Sequence, residues 1–173
     1  MIDISRANNL SKEDKYKLAI EMIRRQFQEE TNFIANLANT AAIIYHLIDG
    51  VSWSGFYLYD GTNLVLGPFQ GKPACNRIML GKGVCGTAYS NKKTIVVDDV
   101  NSFAGHIACD AMSKSEIVVP IYNMTRGVGV LDIDSYEYSN FDAIDKEYLE
   151  KIVDYIVKHS DTSLRQKKYK YFL

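Results

Sequence analysis

Apolar positions recur at helical spacing twice near the start of the chain. Ser11 followed by Asp14 has the form of a capping box with the shorter acid, and Tyr16, Ala19, Ile20, Ile23 and Phe27 then trace one stripe. After Thr31, a residue suited to capping, Ile34, Leu37, Ala41, Ile44 and Ile48 repeat the pattern until Asp49-Gly50 stops it. Two amphipathic helices are thus expected within residues 1–50. From Trp53 the texture changes: WSGFYLY and NLVLGPF flank Asp60-Gly61-Thr62 and read as a hairpin. Thr94–Val100, Glu116–Tyr122 and Gly127–Asp134 are further strand candidates, the last two joined by the short turn Asn123-Met-Thr-Arg126. Phe141, Ile144, Tyr148, Ile152 and Tyr155 mark a closing helix from about Asn140 to His159, and residues 160–173 form a basic, aromatic tail expected to be a solvated end. Short connections make neighbouring strands antiparallel, so the order points to an α+β fold, a sheet with helices packed on it.

Length and charge narrow the function. At 173 residues the chain has the size of one domain, with three sections at 1–50, 51–159 and 160–173. A formal charge of −1 supplies no footprint for nucleic acid. The longest mostly apolar run, Ala41–Ile48, is far too short to cross a bilayer, and the polar N-terminus lacks a signal-peptide pattern. No membrane association and a cytoplasmic address are expected, and there Cys75, Cys85 and Cys109 would normally be reduced. An odd count of thiols argues against a structural disulfide framework and raises a redox or catalytic role.

Several signals carry chemistry. Gly81-Lys-Gly-Val-Cys-Gly86 matches G-x-G-x-x-G, but Thr94 follows Gly86 by only 8 positions, too few for a crossover helix. The glycines instead suit a strand turning sharply into a short helix. Cys85 sits at that turn, where a helix N-terminus favours a thiolate; equally, it reads as a small buried thiol. His106 and Cys109, spaced for one helical turn, could form a nucleophile pair, with Asp110 opposing the thiolate. The scattered cysteines lack the close pairing of a zinc site, so no metal is expected. Asp132 and Asp134 stand at i and i+2 of a strand, carboxylates on one face with Cα atoms about 6.6 Å apart. Glu116 begins the preceding strand and could join them; ordinary surface acids would look the same. Trp53 and Tyr57 share one side of their strand, either as pocket wall or as core.

Taken together, WSGFYL, PACNRIMLGKGVCGTA, VVDDV, HIACDAMSKSEIVVPI and GVGVLDIDS resemble the free methionine-(R)-sulfoxide reductases, a catalytic branch of the GAF domain family. The cysteines, 10 and 24 positions apart, carry that resemblance, since most GAF domains are sensors without them. It implies a GAF-like antiparallel sheet with the N- and C-terminal helices on one face and a ligand pocket on the other. It also implies reduction of free methionine (R)-sulfoxide without a cofactor, by attack of Cys109, a sulfenic acid, capture by Cys75 as a disulfide, and recycling by thioredoxin. Cys85 becomes a supporting or alternate resolving thiol. Glu116 and Asp134 are candidates to protonate the departing oxygen, Asp132 to meet the substrate ammonium, Trp53 to pack on the sulfur-bound methyl and Tyr57 to line the pocket. The loop around Cys75 is expected to move, and Cys109 to be activated only when substrate offsets the nearby acids. An exposed helix pair in this family commonly makes a homodimer, so a second copy is an expected partner. A ligand-sensing GAF module and a thiol redox switch are the alternatives.

Overall fold

The computed structural model describes residues 7, 9–107 and 109–162; of the tail expected over 160–173, residues 163–173 lie outside them. Helices α1 (Lys12–Gln26) and α2 (Phe33–Leu47) lead into strands β1 (Val51–Tyr59), β2 (Asn63–Gln70) and β3 (Arg77–Met79). Helix α3 (Gly83–Asn91), β4 (Ile95–Val97), a 3-10 turn (Val100–Ser102), β5 (Ser115–Asn123), β6 (Arg126–Ser135) and α4 (Ala143–His159) follow. The six strands form one antiparallel sheet in the order β3-β2-β1-β6-β5-β4. No described helix is long and apolar enough to cross a membrane.

Strand alternation sorts the side chains into two cores. Phe56, Ile117, Val119, Leu131 and Ile133 meet Tyr16, Ile23, Leu37, Ile44, Leu149 and Ile152 of α1, α2 and α4. Trp53, Tyr57, Val118 and Val130 face the opposite way, against Val84, Cys85 and Ala88 of α3. The terminal helices therefore cover one face of a GAF-like α+β sheet and leave the other to α3 and the loops.

Local chemistry moves several boundaries. Ser11 caps α1 by accepting from Asp14 N–H, as its spacing predicts. Asn32, not Thr31, caps α2 by accepting from Ala35 N–H. Asp142 opens α4 in a reciprocal capping box with Asp145, two residues beyond Asn140. Ile34 and Ile144, placed by periodicity on the apolar stripes, sit in first turns and are 45% and 37% exposed. The strand expected over Thr94–Val100 pairs only at Ile95–Val97, because Asp99 accepts from Asn101 N–H and turns the chain into the 3-10 segment. β3 is an edge strand of 3 residues, too short for a period-two signature.

Candidate active site

Register assembles the site. Trp53 pairs with Asp134 across β1 and β6, and Asp134 pairs with Glu116 across β6 and β5. One step along, Gly55 pairs with Asp132 and Asp132 with Val118. An aromatic and three carboxylates thus stand in two adjacent rows on the face away from the terminal helices. Glycine is required at position 55: a Cβ there would lie 2.4 Å from both Trp53 Cη2 and Phe69 Cβ. The missing side chain lets the indole stack between Phe69 and Tyr57, with ring centroids 5.4 and 6.0 Å away.

Helix α3 roofs this floor. Gly81 and Gly83 adopt positive φ, and a Cβ on Gly86 would strike the Met79 carbonyl at 2.3 Å. Those three needs account for the G-x-G-x-x-G pattern as the tight strand-to-helix turn expected, without a phosphate. Cys85 follows within the first turn but is buried, its thiol 4.0 Å from Glu116 Oε1. The helix-terminus argument for a stabilised thiolate is overturned here. Burial, then the charges of Asp132 and Glu116, push the Cys85 thiol well up instead.

Cys75 and Cys109, both half-buried, are joined in a disulfide with Cα atoms 5.3 Å apart. Cys109 opens on two small adjoining cavities. One, of about 30 Å³, is bounded by Cys85, His106, Cys109, Glu116, Asp132 and Asp134. The other, of about 20 Å³, is bounded by Trp53, Tyr57, Pro73, Cys109, Asp132 and Asp134. Each has room for about one or two water-sized bodies. His106 lies outside any helix, and its Nε2 stands 3.8 Å from Glu116 Oε2, so helical pairing with Cys109 is not its role.

The acids differ in their hold on protons. Burial, then repulsion from Asp132 and Asp134, keeps Glu116 well above the usual carboxylate range. Asp134 is raised for the same two reasons, burial and then Asp132, with Ser113 opposing by hydrogen bonding. Burial lifts Asp132 to about 6, while hydrogen bonds from Cys85, Glu116 and the Ile133 N–H pull it back. Of the trio, Asp132 is the member best supplied with donors and so the first to ionise.

Residues without a local sequence signal tie the two loops together. Asp110 Oδ2 accepts from Lys72 Nζ at 3.3 Å and Tyr136 OH at 2.8 Å, and Lys72 lies over the Tyr136 ring. The Met112 N–H, then the Tyr136 and Lys72 bonds, hold Asp110 below its ordinary pKa, in a latch on the wall of both cavities. The Trp53 indole N–H donates to the Lys72 carbonyl at 3.1 Å, linking the floor to the Cys75 loop. Lys72, Tyr136 and Phe69 gain their places only through partners distant in sequence.

Known proteins share both fold and sequence. The GAF domain model matches residues 36–158. Free methionine-R-sulfoxide reductase of Saccharomyces cerevisiae is 44% identical over 163 residues, covering 90% of this chain and 91% of that protein. Its namesake from Escherichia coli is 49% identical over 129 residues, with 75% and 78% covered. The structure of free methionine-R-sulfoxide reductase from Neisseria meningitidis in complex with its substrate superposes with a TM-score of 0.86 at 42% identity, covering 91% of this chain and 95% of that one. With sheet, cysteines and sequence in agreement, the chain belongs to the free methionine-R-sulfoxide reductases of the GAF domain family.

Proposed function

We propose that this protein reduces free L-methionine (R)-S-oxide to L-methionine, with Cys109 as nucleophile and Cys75 as resolving thiol. One observation carries the reading: the half-buried sulfur of Cys109, bonded to Cys75, borders the same cavities as Glu116, Asp132 and Asp134. Two named reductases at 44% and 49% identity, and a solved one with its substrate bound, support the substrate class.

In the first step the Cys109 sulfur attacks the sulfoxide sulfur while Glu116 or Asp134 protonates its oxygen. Thiol and sulfoxide become sulfenic acid and thioether, so methionine leaves with the sulfur reduced. Their raised proton affinity keeps Glu116 and Asp134 as donors near neutrality, a state an ordinary carboxyl could not hold. Asp132, ionised first, receives the substrate ammonium through Oδ1, which has no hydrogen-bond partner. Trp53, stacked on Phe69 and Tyr57, packs against the sulfur-bound methyl. The Cys75 thiol then displaces water from the sulfenic acid, giving the observed disulfide. A dithiol of the thioredoxin kind returns both cysteines to thiols and is itself oxidised, with no bound cofactor. Cys85 serves as a supporting or alternate resolving thiol, borne by α3 at the same cavity.

The test supplies purified protein with thioredoxin, its reductase and NADPH, then separately with each methionine sulfoxide epimer and a peptide-linked sulfoxide. Methionine released from the free R epimer alone is the expected result. Tight binding without release would sink the catalytic reading and favour a sensor. If Cys75→Ser retained full thioredoxin-coupled turnover, Cys75 would not be the resolver.

A further inference from the structure

Donors of mixed chemistry converge beneath α3. Cys85 Sγ and one oxygen each of Glu116 and Asp132 lie within 4.8 Å of one another, all buried. His106 borders the same cavity, its Nε2 3.8 Å from Glu116 Oε2. Burial lowers the His106 pKa and favours the neutral ring, the form that ligates. Asp132 is 6% exposed, lines the cavity, and its Oδ1 has no hydrogen-bond partner. Among the described residues no lysine or arginine pairs with Glu116, Asp132 or Asp134. Buried acids with no basic partner are held protonated or are balanced by a bound cation, and the unpartnered Asp132 oxygen is placed to ligate one.

We propose that Cys85, Glu116 and Asp132, with His106 as fourth donor, bind one divalent cation of borderline softness, Zn²⁺ or Co²⁺. One thiolate, one imidazole and two carboxylates suit these ions rather than Mg²⁺ or Ca²⁺, which take oxygen alone. Tetrahedral bonds of roughly 2.0–2.3 Å set donors about 3.5 Å apart, so Cys85, Glu116 and Asp132 close inward by about an ångström on binding, while His106, outside their 4.8 Å cluster, swings further to reach the ion. The cavity of about 30 Å³ accommodates the ion without rebuilding the sheet. Binding releases the Cys85 thiol proton and any carboxylic protons to solvent, involves no change of oxidation state, and tightens as pH rises. The sequence shows none of this, because the donors lie on α3, β5, β6 and a loop. The site would also hold the Asp132 oxygen assigned above to the substrate ammonium, so ion and substrate exclude one another; that consequence alone rests on the proposed reaction.

The disulfide form offers a clean measurement, because Cys85 is then the free thiol. Co²⁺ titrated into it is expected to give a thiolate-to-cobalt band in the near ultraviolet, saturating at one equivalent and removed by Zn²⁺. Cys85→Ser is expected to lose the band and Glu116→Gln to weaken binding at least about tenfold. Absence of the band from the wild-type disulfide form at millimolar Co²⁺, or its persistence in Cys85→Ser, would overturn the site. Should Cys85→Ser fail to fold, the wild-type spectrum and Glu116→Gln still decide. No turnover is involved, so failure here leaves the reductase assignment standing, and the reverse holds. Methionine sulfoxide titrated into cobalt-loaded Cys75→Ser/Cys109→Ser protein is expected to bleach the band; persistence would overturn the exclusion between ion and substrate.

Discussion

On strand β6, Leu131 and Ile133 enter the core beneath α1, α2 and α4, whereas Asp132, one residue along, turns its carboxyl to the other side of the sheet. Both faces of this strand are buried at these positions, yet they contribute opposite things. The helix face gains from removing apolar surface from water, about 25 cal/mol per Å². The cavity face holds three carboxylates whose burial opposes ionisation, so it weakens the fold while retaining groups that can give up or accept protons. Adjacent residues of one strand can therefore be selected for contrary reasons, and the alternation of the backbone keeps them apart.

Several substitutions would break or sharpen that contrast. Cys109→Ser is expected to abolish methionine release while leaving the thermal midpoint of the reduced protein nearly unchanged. A large loss of stability would mean that the cavity face also carries the fold. Leu131→Ala and Asp132→Asn form the most direct pair. The first is expected to cost about 2–5 kcal/mol in denaturant unfolding with the active site intact. The second is expected to cost about 2–5 kcal/mol of substrate grip, roughly 30-fold or more in kcat/KM, without loss of stability near neutrality.

The pH dependence sharpens the same pair. Asp132 binds its proton more tightly folded, near pH 6, than its ordinary 3.8. Its contribution to stability is therefore fully present below about pH 4 and lost as pH rises through about 6. The stability of Asp132→Asn relative to wild type is expected to grow by up to about 3 kcal/mol across that window, read from unfolding curves at each pH. A constant difference would show that Asp132 ionises normally. Below about pH 6 the wild-type kcat/KM is expected to fall as Asp132 loses the charge that meets the ammonium, with an apparent midpoint belonging to the acidic cluster as a whole. The smallest effect is expected from Tyr136→Phe, which removes the hydroxyl from Asp110 at the rim. A loss of about 1 kcal/mol, with slower disulfide formation in single turnover, would mark the latch as a positioning device for the Cys75 and Cys109 loops.

Much of this was legible from local pattern. Helical period marks α1, α2 and α4, and period two places Asp132 with Asp134 and Trp53 with Tyr57. The pairing of Cys75 with Cys109 came from family resemblance, not from spacing. Boundaries such as Asn32 for Thr31 were missed because two neighbouring cap formers look alike until one meets its N–H. Cys85 misled because the helix terminus is a local feature, whereas the acids that outweigh it come from β5 and β6.

Periodicity alone marked the apolar stripes of α1, α2 and α4, since a repeating stripe depends on residues close together in the chain. Strand register, and with it the meeting of Trp53, Asp134 and Glu116, needed the folded sheet, as did the latch among Lys72, Asp110 and Tyr136. The proton affinities of the acids belong there too: desolvation and charge repulsion depend on distances through space, which no stretch of sequence encodes by itself.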